Sequence, residues 1–361
     1  MALPSTPSPD PIRAWLAAVI RGAEPGAAPP DEAGLLETAQ AEGVLALCHD
    51  RLRRAPAWTQ YPETLREALT RHAYQAVAVE MMRAAELRDV LAALAQAGLP
   101  VLLLKGAALA YTLYPEPHLR ERCDTDLLLP DRDAVEQAWR VFQTLGYQRP
   151  ATATAAGELV SSELGCYKTT GSGLIHALDV HWRWSNATLF AGVFTFAELA
   201  EATVPIPALG PHAQGLGSVH ALLLACVHRM THRLQDNDID RLIWLYDIHL
   251  LAEGLTDGQW RQVVTLAEAR VLCGPCCDGL DSAQRWFGTN RPDEVLNRLR
   301  AGTARERFDP GQLRQPWRLE WLAFCALPST RLRLRWIGQR LFPDSDYLRE
   351  QYGVRHWLGL P

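Results

Sequence analysis

Asp124-Thr125-Asp126-Leu127-Leu128-Leu129, closed by Pro130, is the stretch on which the fold turns. Three consecutive leucines before a proline predict a short buried strand. Side chains two apart on a strand share a face, so Asp124 and Asp126 project together while Thr125 and Leu127 face the other way. Two carboxylates held side by side raise one another's pKa unless a cation offsets them. Hard oxygen ligands of this kind suit Mg2+. Taken alone, the pair also suits a solvated strand end.

Upstream, Pro100-Val101-Leu102-Leu103-Leu104 is a second apolar run bounded by Pro and Gly, and it predicts another buried strand. It runs through Lys105-Gly106 into a short helical segment, Ala107 to Leu113. Backbone N–H groups at such a helix start form a natural phosphate site, and glycine lets a phosphate come close. Arg120 and Arg122 flank the acidic pair as candidate clamps on phosphate oxygens. Downstream, Asp131 to Leu145 is amphipathic and stops at Gly146, which predicts a helix. Leu164 to Thr169 and Leu174 to Trp184 then flank Gly171-Ser172-Gly173 and predict a hairpin. Leu178-Asp179-Val180-His181-Trp182 alternates, so Asp179 and His181 share one face and Leu178, Val180 and Trp182 point into packing. If this hairpin neighbours the Asp124–Asp126 strand, three carboxylates converge.

Strand, helix, strand, helix and hairpin describe a small α/β domain over 99–205. Helices flank it on both sides. Pro29-Pro30-Asp31 opens one, and a long stretch from Pro62 to Ala97 stops at Gly98 and Pro100. Ser218 caps Val219 to Arg233, Ile239 to Glu253 follows, and helical periodicity continues to about Leu341. The expected organisation is an N-terminal helical segment (1–98), the core (99–205) and a C-terminal helical domain (206–361).

The 361 residues predict two or three domains at roughly 100–200 residues each. With 48% hydrophobic and 21% charged residues, a largely disordered chain is excluded. A net charge of -5 argues against a general nucleic-acid binder. No stretch approaches the ~18 apolar residues of a membrane span. The first residues lack the basic and apolar regions of a secretory signal, so a cytoplasmic protein is expected. Eight cysteines are too sparse for a disulfide scaffold, and Cys273, Cys276 and Cys277 lack a second pair at zinc-finger spacing. They read as free thiols. His228 and His232 stand one helical turn apart, with His220 two turns back. That spacing keeps open a zinc hydrolase using His220, His228 and His232, although Arg229 stands where a metalloprotease places its glutamate. The arginine- and tryptophan-rich segment 314–340 reads as arginine stems over a helix bundle, with an interaction surface as the other reading.

The runs Leu103-Leu104-Lys105-Gly106-Ala107-Ala108-Leu109, then Tyr114, Arg120 and Asp124 to Leu129, resemble the bacterial nucleotidyltransferase family of the DNA polymerase β-like superfamily. The resemblance is to the branch with Lys-Gly in place of the usual Gly-Ser. Leu178 to Trp182 is similar to that branch's third-aspartate strand. His228, His232 and Trp244-Leu245-Tyr246-Asp247 are similar to its helical half, and Phe342-Pro343 through Tyr352 to its C-terminal end. The resemblance implies a small mixed sheet and Mg2+-dependent transfer of a nucleotidyl group, AMP from ATP or another NTP, to an acceptor with release of pyrophosphate. It implies two metal ions, with Asp124 and Asp126 as ligands and Asp179 on the metal that activates the acceptor. Lys105 and Gly106 would contact the triphosphate, and Arg120 or Arg122 would neutralise developing charge. The acceptor would be a small molecule, a peptide or a protein side chain. The alternative on the same fold is a non-catalytic nucleotide- or partner-binding protein, antitoxin-like or regulatory.

Overall fold

The computed structural model describes residues 10–23, 31–149, 162–235, 240–306 and, apart from 323, 326 and 328, 321–341. The similarity expected over Phe342 to Tyr352, and the first part of the 314–340 segment, lie outside the described residues.

The two leucine runs become neighbouring strands, β1 (Leu102–Leu103) and β2 (Asp124–Leu128), paired antiparallel. The hairpin forms β3 (Glu163–Thr169) and β4 (Ile175–His181). Two further strands, β5 (Thr203–Pro205) and β6 (Gln214–Leu216), complete a six-stranded mixed sheet in the order β3-β4-β2-β1-β6-β5. β6 lies parallel to β1, so the sheet extends past residue 205. The chain pattern does not announce β5 and β6, because three-residue strands are too short to show an alternation.

Alternation sorts the sheet into two faces. Leu103, Leu127, Leu129, Leu164, Leu178 and Val180 point to one side and pack with α4 (Glu63–Gln96) and α6 (Arg132–Thr144), through Leu87, Leu91, Leu94, Val135 and Phe142. Leu102, Leu104 and Leu128 point to the other side. There they join α8 (Ser218–Gln235), α10 (Asp257–Arg270), α11 (Cys273–Phe287) and α12 (Asp293–Thr303) in one core built on Leu222, Val227, Trp260, Val264, Leu280 and Leu299. A third core joins α1 (Pro11–Ile20), α2 (Glu32–Ala41) and α3 (Leu45–Arg54) to α9 (Leu242–Glu253), through Leu16, Ile20, Leu35, Leu47, Leu242 and Leu245. Gly43, at φ +70, turns the chain between α2 and α3. The turn brings Glu42 onto α9, where Glu42 Oε2 accepts from Leu242 N at 2.6 Å.

Among the described residues no helix is long and apolar enough to cross a membrane. The fold is a mixed α/β architecture with helical parts before and after the sheet.

Candidate active site

The turn from β1 into α5 (Lys105–Thr112) places Lys105 against β2. Its φ of +47 lies in the left-handed region that side chains rarely adopt. In that pose Lys105 Nζ stands 2.7 Å from Asp126 Oδ1. The same oxygen receives His181 Nε2 at 2.9 Å. Burial alone would push the Asp126 carboxyl up, but the Lys105 ammonium and the His181 hydrogen bond hold it well below the usual carboxylate range. Burial likewise works against the ammonium, yet Asp126, with Glu163 and Asp124 behind it, raises the Lys105 pKa.

Register decides the rest. β2 and β4 run parallel with Asp126 directly opposite Asp179 and Leu128 opposite His181. On the next strand Gly165 stands opposite Asp179 and Glu163 opposite His181. Asp124, Asp126, Asp179, His181 and Glu163 therefore share one face of the sheet. Three converging carboxylates were expected from the alternation; the hairpin adds a fourth. Asp179 is pushed up to about 7, first by burial and then by Glu163, Asp126 and Asp124. His181 is 1% exposed, and its Nδ1 stands 3.5 Å from Glu163 Oε2.

This face forms one wall of a cleft of about 700 Å3. Lys105, Gly106, Asp124, Asp126, Asp179 and Glu163 are among its lining residues. The opposite wall comes from α8 and α9, with His228, Thr231, His232 and Trp244. The rings of His228 and His232 lie 4.3 Å apart and both pack on Trp244. Burial, with Lys105 and His232 nearby, holds His228 well below the usual histidine range, so it is uncharged.

Arg120 and Arg122, expected as phosphate clamps, are each paired with a carboxylate of the fold. Arg120 lies inside the protein, with Nε 2.9 Å and 3.0 Å from the two carboxylate oxygens of Asp247 and Nη2 2.7 Å from Oδ2. Tyr114 Oη donates to the same Asp247 at 2.7 Å. Arg122 Nη2 reaches Glu80 Oε1 of α4 at 3.0 Å, and its Nη1 donates to the backbone oxygen of Asp124 at 3.1 Å. Both guanidiniums border the cleft, but their terminal nitrogens bond carboxylates, carbonyls and the Thr125 hydroxyl around the loop leading into β2. A Cβ at Gly106 would stand 3.4 Å from the Arg120 guanidinium carbon, about an ordinary contact distance.

The zinc alternative does not assemble. His220 packs 5.0 Å from Phe194, apart from the His228–His232 pair. Among the described residues no three histidine, cysteine or acidic side chains are gathered to hold a metal ion as the side chains stand, the acidic face included. There Asp126 Oδ1 is turned to Lys105 and His181. Cys273 and Cys276 are buried free thiols in α11.

Sequence reasoning missed Glu163, Asp247 and Glu80 as functional or bracing carboxylates. Glu163 carries a signal in hindsight, standing two residues before Gly165 on a strand. Only the hairpin register identifies its face. Asp247 and Glu80 sit 127 and 42 residues from their arginine partners, so no local pattern joins them.

No curated protein matches the chain at a significant level. The family described as uncharacterised nucleotidyltransferase matches residues 28–288. That span includes α2, the whole sheet, the acidic face and the α8–α9 wall of the cleft. It covers well over half of the chain, and the protein is a member of the uncharacterised nucleotidyltransferase family.

Proposed function

We propose that the protein transfers a nucleotidyl group, AMP from ATP, to a hydroxyl or amine acceptor and releases pyrophosphate. The observation that carries this reading is the pairing of Asp126 with Asp179 across β2 and β4, on the face that lines the cleft. In the reaction the acceptor's oxygen or nitrogen attacks the α-phosphorus, the bond to the β-phosphate bridging oxygen breaks, and pyrophosphate leaves with that oxygen. Asp179 is suited to hold the cation that activates the acceptor, whose proton passes to solvent as the new bond forms. Lys105, which lines the cleft, is the cation assigned to the triphosphate. Arg120 and Arg122 act at a distance, by fixing the loop that presents Asp124.

The donor set fits a divalent cation. Asp124, Asp126, Asp179 and Glu163 bring four carboxylates to one face against a single ammonium and a histidine, and the raised Asp179 pKa reflects that excess. Asp124, Asp126 and Asp179 would hold Mg2+. When bound, it would neutralise charge on the phosphates undergoing transfer.

The test is incubation with each of the four NTPs, labelled at the α-phosphate, and Mg2+ over a panel of acceptors, with mass analysis of the products. A gain of one nucleotidyl mass on an acceptor, with pyrophosphate release, is expected. Ligand at a hundred times its dissociation constant should also stabilise the protein by about 2.7 kcal/mol. Stabilisation without turnover on any acceptor would favour the non-catalytic nucleotide-binding alternative. Neither stabilisation nor turnover would overturn the reading.

A further inference from the structure

We propose that Lys105 is the resident counter-cation of this site, and that a divalent cation must displace its ammonium from Asp126 to bind. The proposal rests on the nucleotidyl-transfer reading above and gives that site an order of binding. Lys105 Nζ lies 2.7 Å from Oδ1 of Asp126, one of the three aspartates that would hold the metal. Asp126, Glu163 and Asp124 all act on the ammonium, so it sits where the field of the carboxylates is concentrated. The backbone holds it there in a left-handed conformation at φ +47.

Residue choice points the same way. The chain has thirty-six lysines and arginines, and only Lys105 and Lys168 are lysines. An ammonium is a compact point charge with rotatable donors, whereas a guanidinium is a planar fork suited to fixed bidentate pairs. Arg120 and Arg122 use that fork to brace the fold; at 105 the chain places the one cation able to stand in for a metal ion and then leave. Lys105 borders the cleft, so an ammonium that leaves Asp126 has that space to enter. Two cations cannot share one carboxylate oxygen without strong repulsion. A metal arriving alone takes the ammonium's closest anion, whereas one arriving with a nucleotide brings a triphosphate to receive it. Metal and nucleotide therefore bind with positive, reciprocal coupling, and free metal binds weakly.

The test uses Mn2+ as the probe, without nucleotide, on the full-length protein. Lys105→Met and Lys105→Gln should each bind Mn2+ at least about tenfold more tightly than wild type, the low end for removing an adjacent charge. Adding Asp126→Asn to either variant should abolish the gain. In wild type, the acylation rate of Lys105 relative to Lys168, read by mass spectrometry, should rise several-fold at saturating Mn2+. Lys168 is a suitable reference, being paired with Glu86 at 2.7 Å away from the acidic face. Wild-type Mn2+ affinity in the folded neutral variants, or a Lys105 to Lys168 ratio unmoved by saturating Mn2+, would overturn the proposal. The reading beneath it fails on a different result, the absence of NTP-dependent stabilisation and turnover in wild type.

Discussion

Asp126 of β2 and Asp179 of β4 are direct partners in a parallel ladder, yet their carboxyls behave oppositely. Asp126 is held ionised by Lys105 and His181, while Asp179 is pushed up to about 7. With no cation bound, the face carries more negative charge than Lys105 and His181 offset, and Asp179 bears that excess.

Asp124→Asn and Asp126→Asn are each expected to reduce nucleotidyl transfer close to background, but they should separate in stability. Asp126 is 4% exposed and pairs with a largely buried lysine. Breaking such a pair from one side costs about 3–5 kcal/mol. Asp124 is half-buried at the start of its strand, and its amide variant should fold almost as well as wild type. Chemical denaturation beside a turnover assay checks both, and wild-type turnover in either variant would exclude it from the chemistry.

Asp179→Asn should leave nucleotide affinity within a few-fold while the chemical step falls by roughly 10²–10⁴. Its stability should carry a pH signature, measured in a metal chelator. Unfolded, Asp179 ionises near its ordinary 3.8; folded, only near about 7. Between these values the folded state holds a proton that the unfolded state has lost, so this group's contribution falls as pH rises through the window and stays lost above it. The variant should match wild type at low pH and become the more stable of the two by about pH 8. A stability difference independent of pH would show that Asp179 bears no such burden.

Asp247→Ala should destabilise by about 3–5 kcal/mol, because it strands the buried Arg120 guanidinium. Tyr114→Phe, which removes one hydrogen bond to the same carboxylate, should cost about 1 kcal/mol. Arg120→Ala should likewise appear in the denaturation midpoint. If it weakened nucleotide binding without lowering the midpoint, Arg120 would be a phosphate ligand after all.

Val180→Thr tests the other face of the same strand. Val180 is fully buried in the core shared with α4 and α6, so the added hydroxyl should cost about 1–3 kcal/mol. Turnover per folded molecule should not change, since the side chain points away from the cleft.

Local rules of the chain were enough for the strands bearing chemistry. Leucine runs closed by proline and glycine located β1 and β2, and the alternation of Leu178 to Trp182 put Asp179 and His181 on one face. A period of two is a property of any extended strand, so it can be read without knowing the partner. The pairing partner cannot. That Asp126 meets Asp179, that Glu163 joins them and that Lys105 turns onto Asp126 depend on register and on one left-handed residue, which follow from packing of the whole sheet. Arg120 and Arg122 were legible as cations near carboxylates, but the carboxylates they pair with, Asp247 and Glu80, are brought in by α9 and α4. A buried guanidinium takes the carboxylate that the fold delivers, and delivery over 127 and 42 residues belongs to tertiary structure alone.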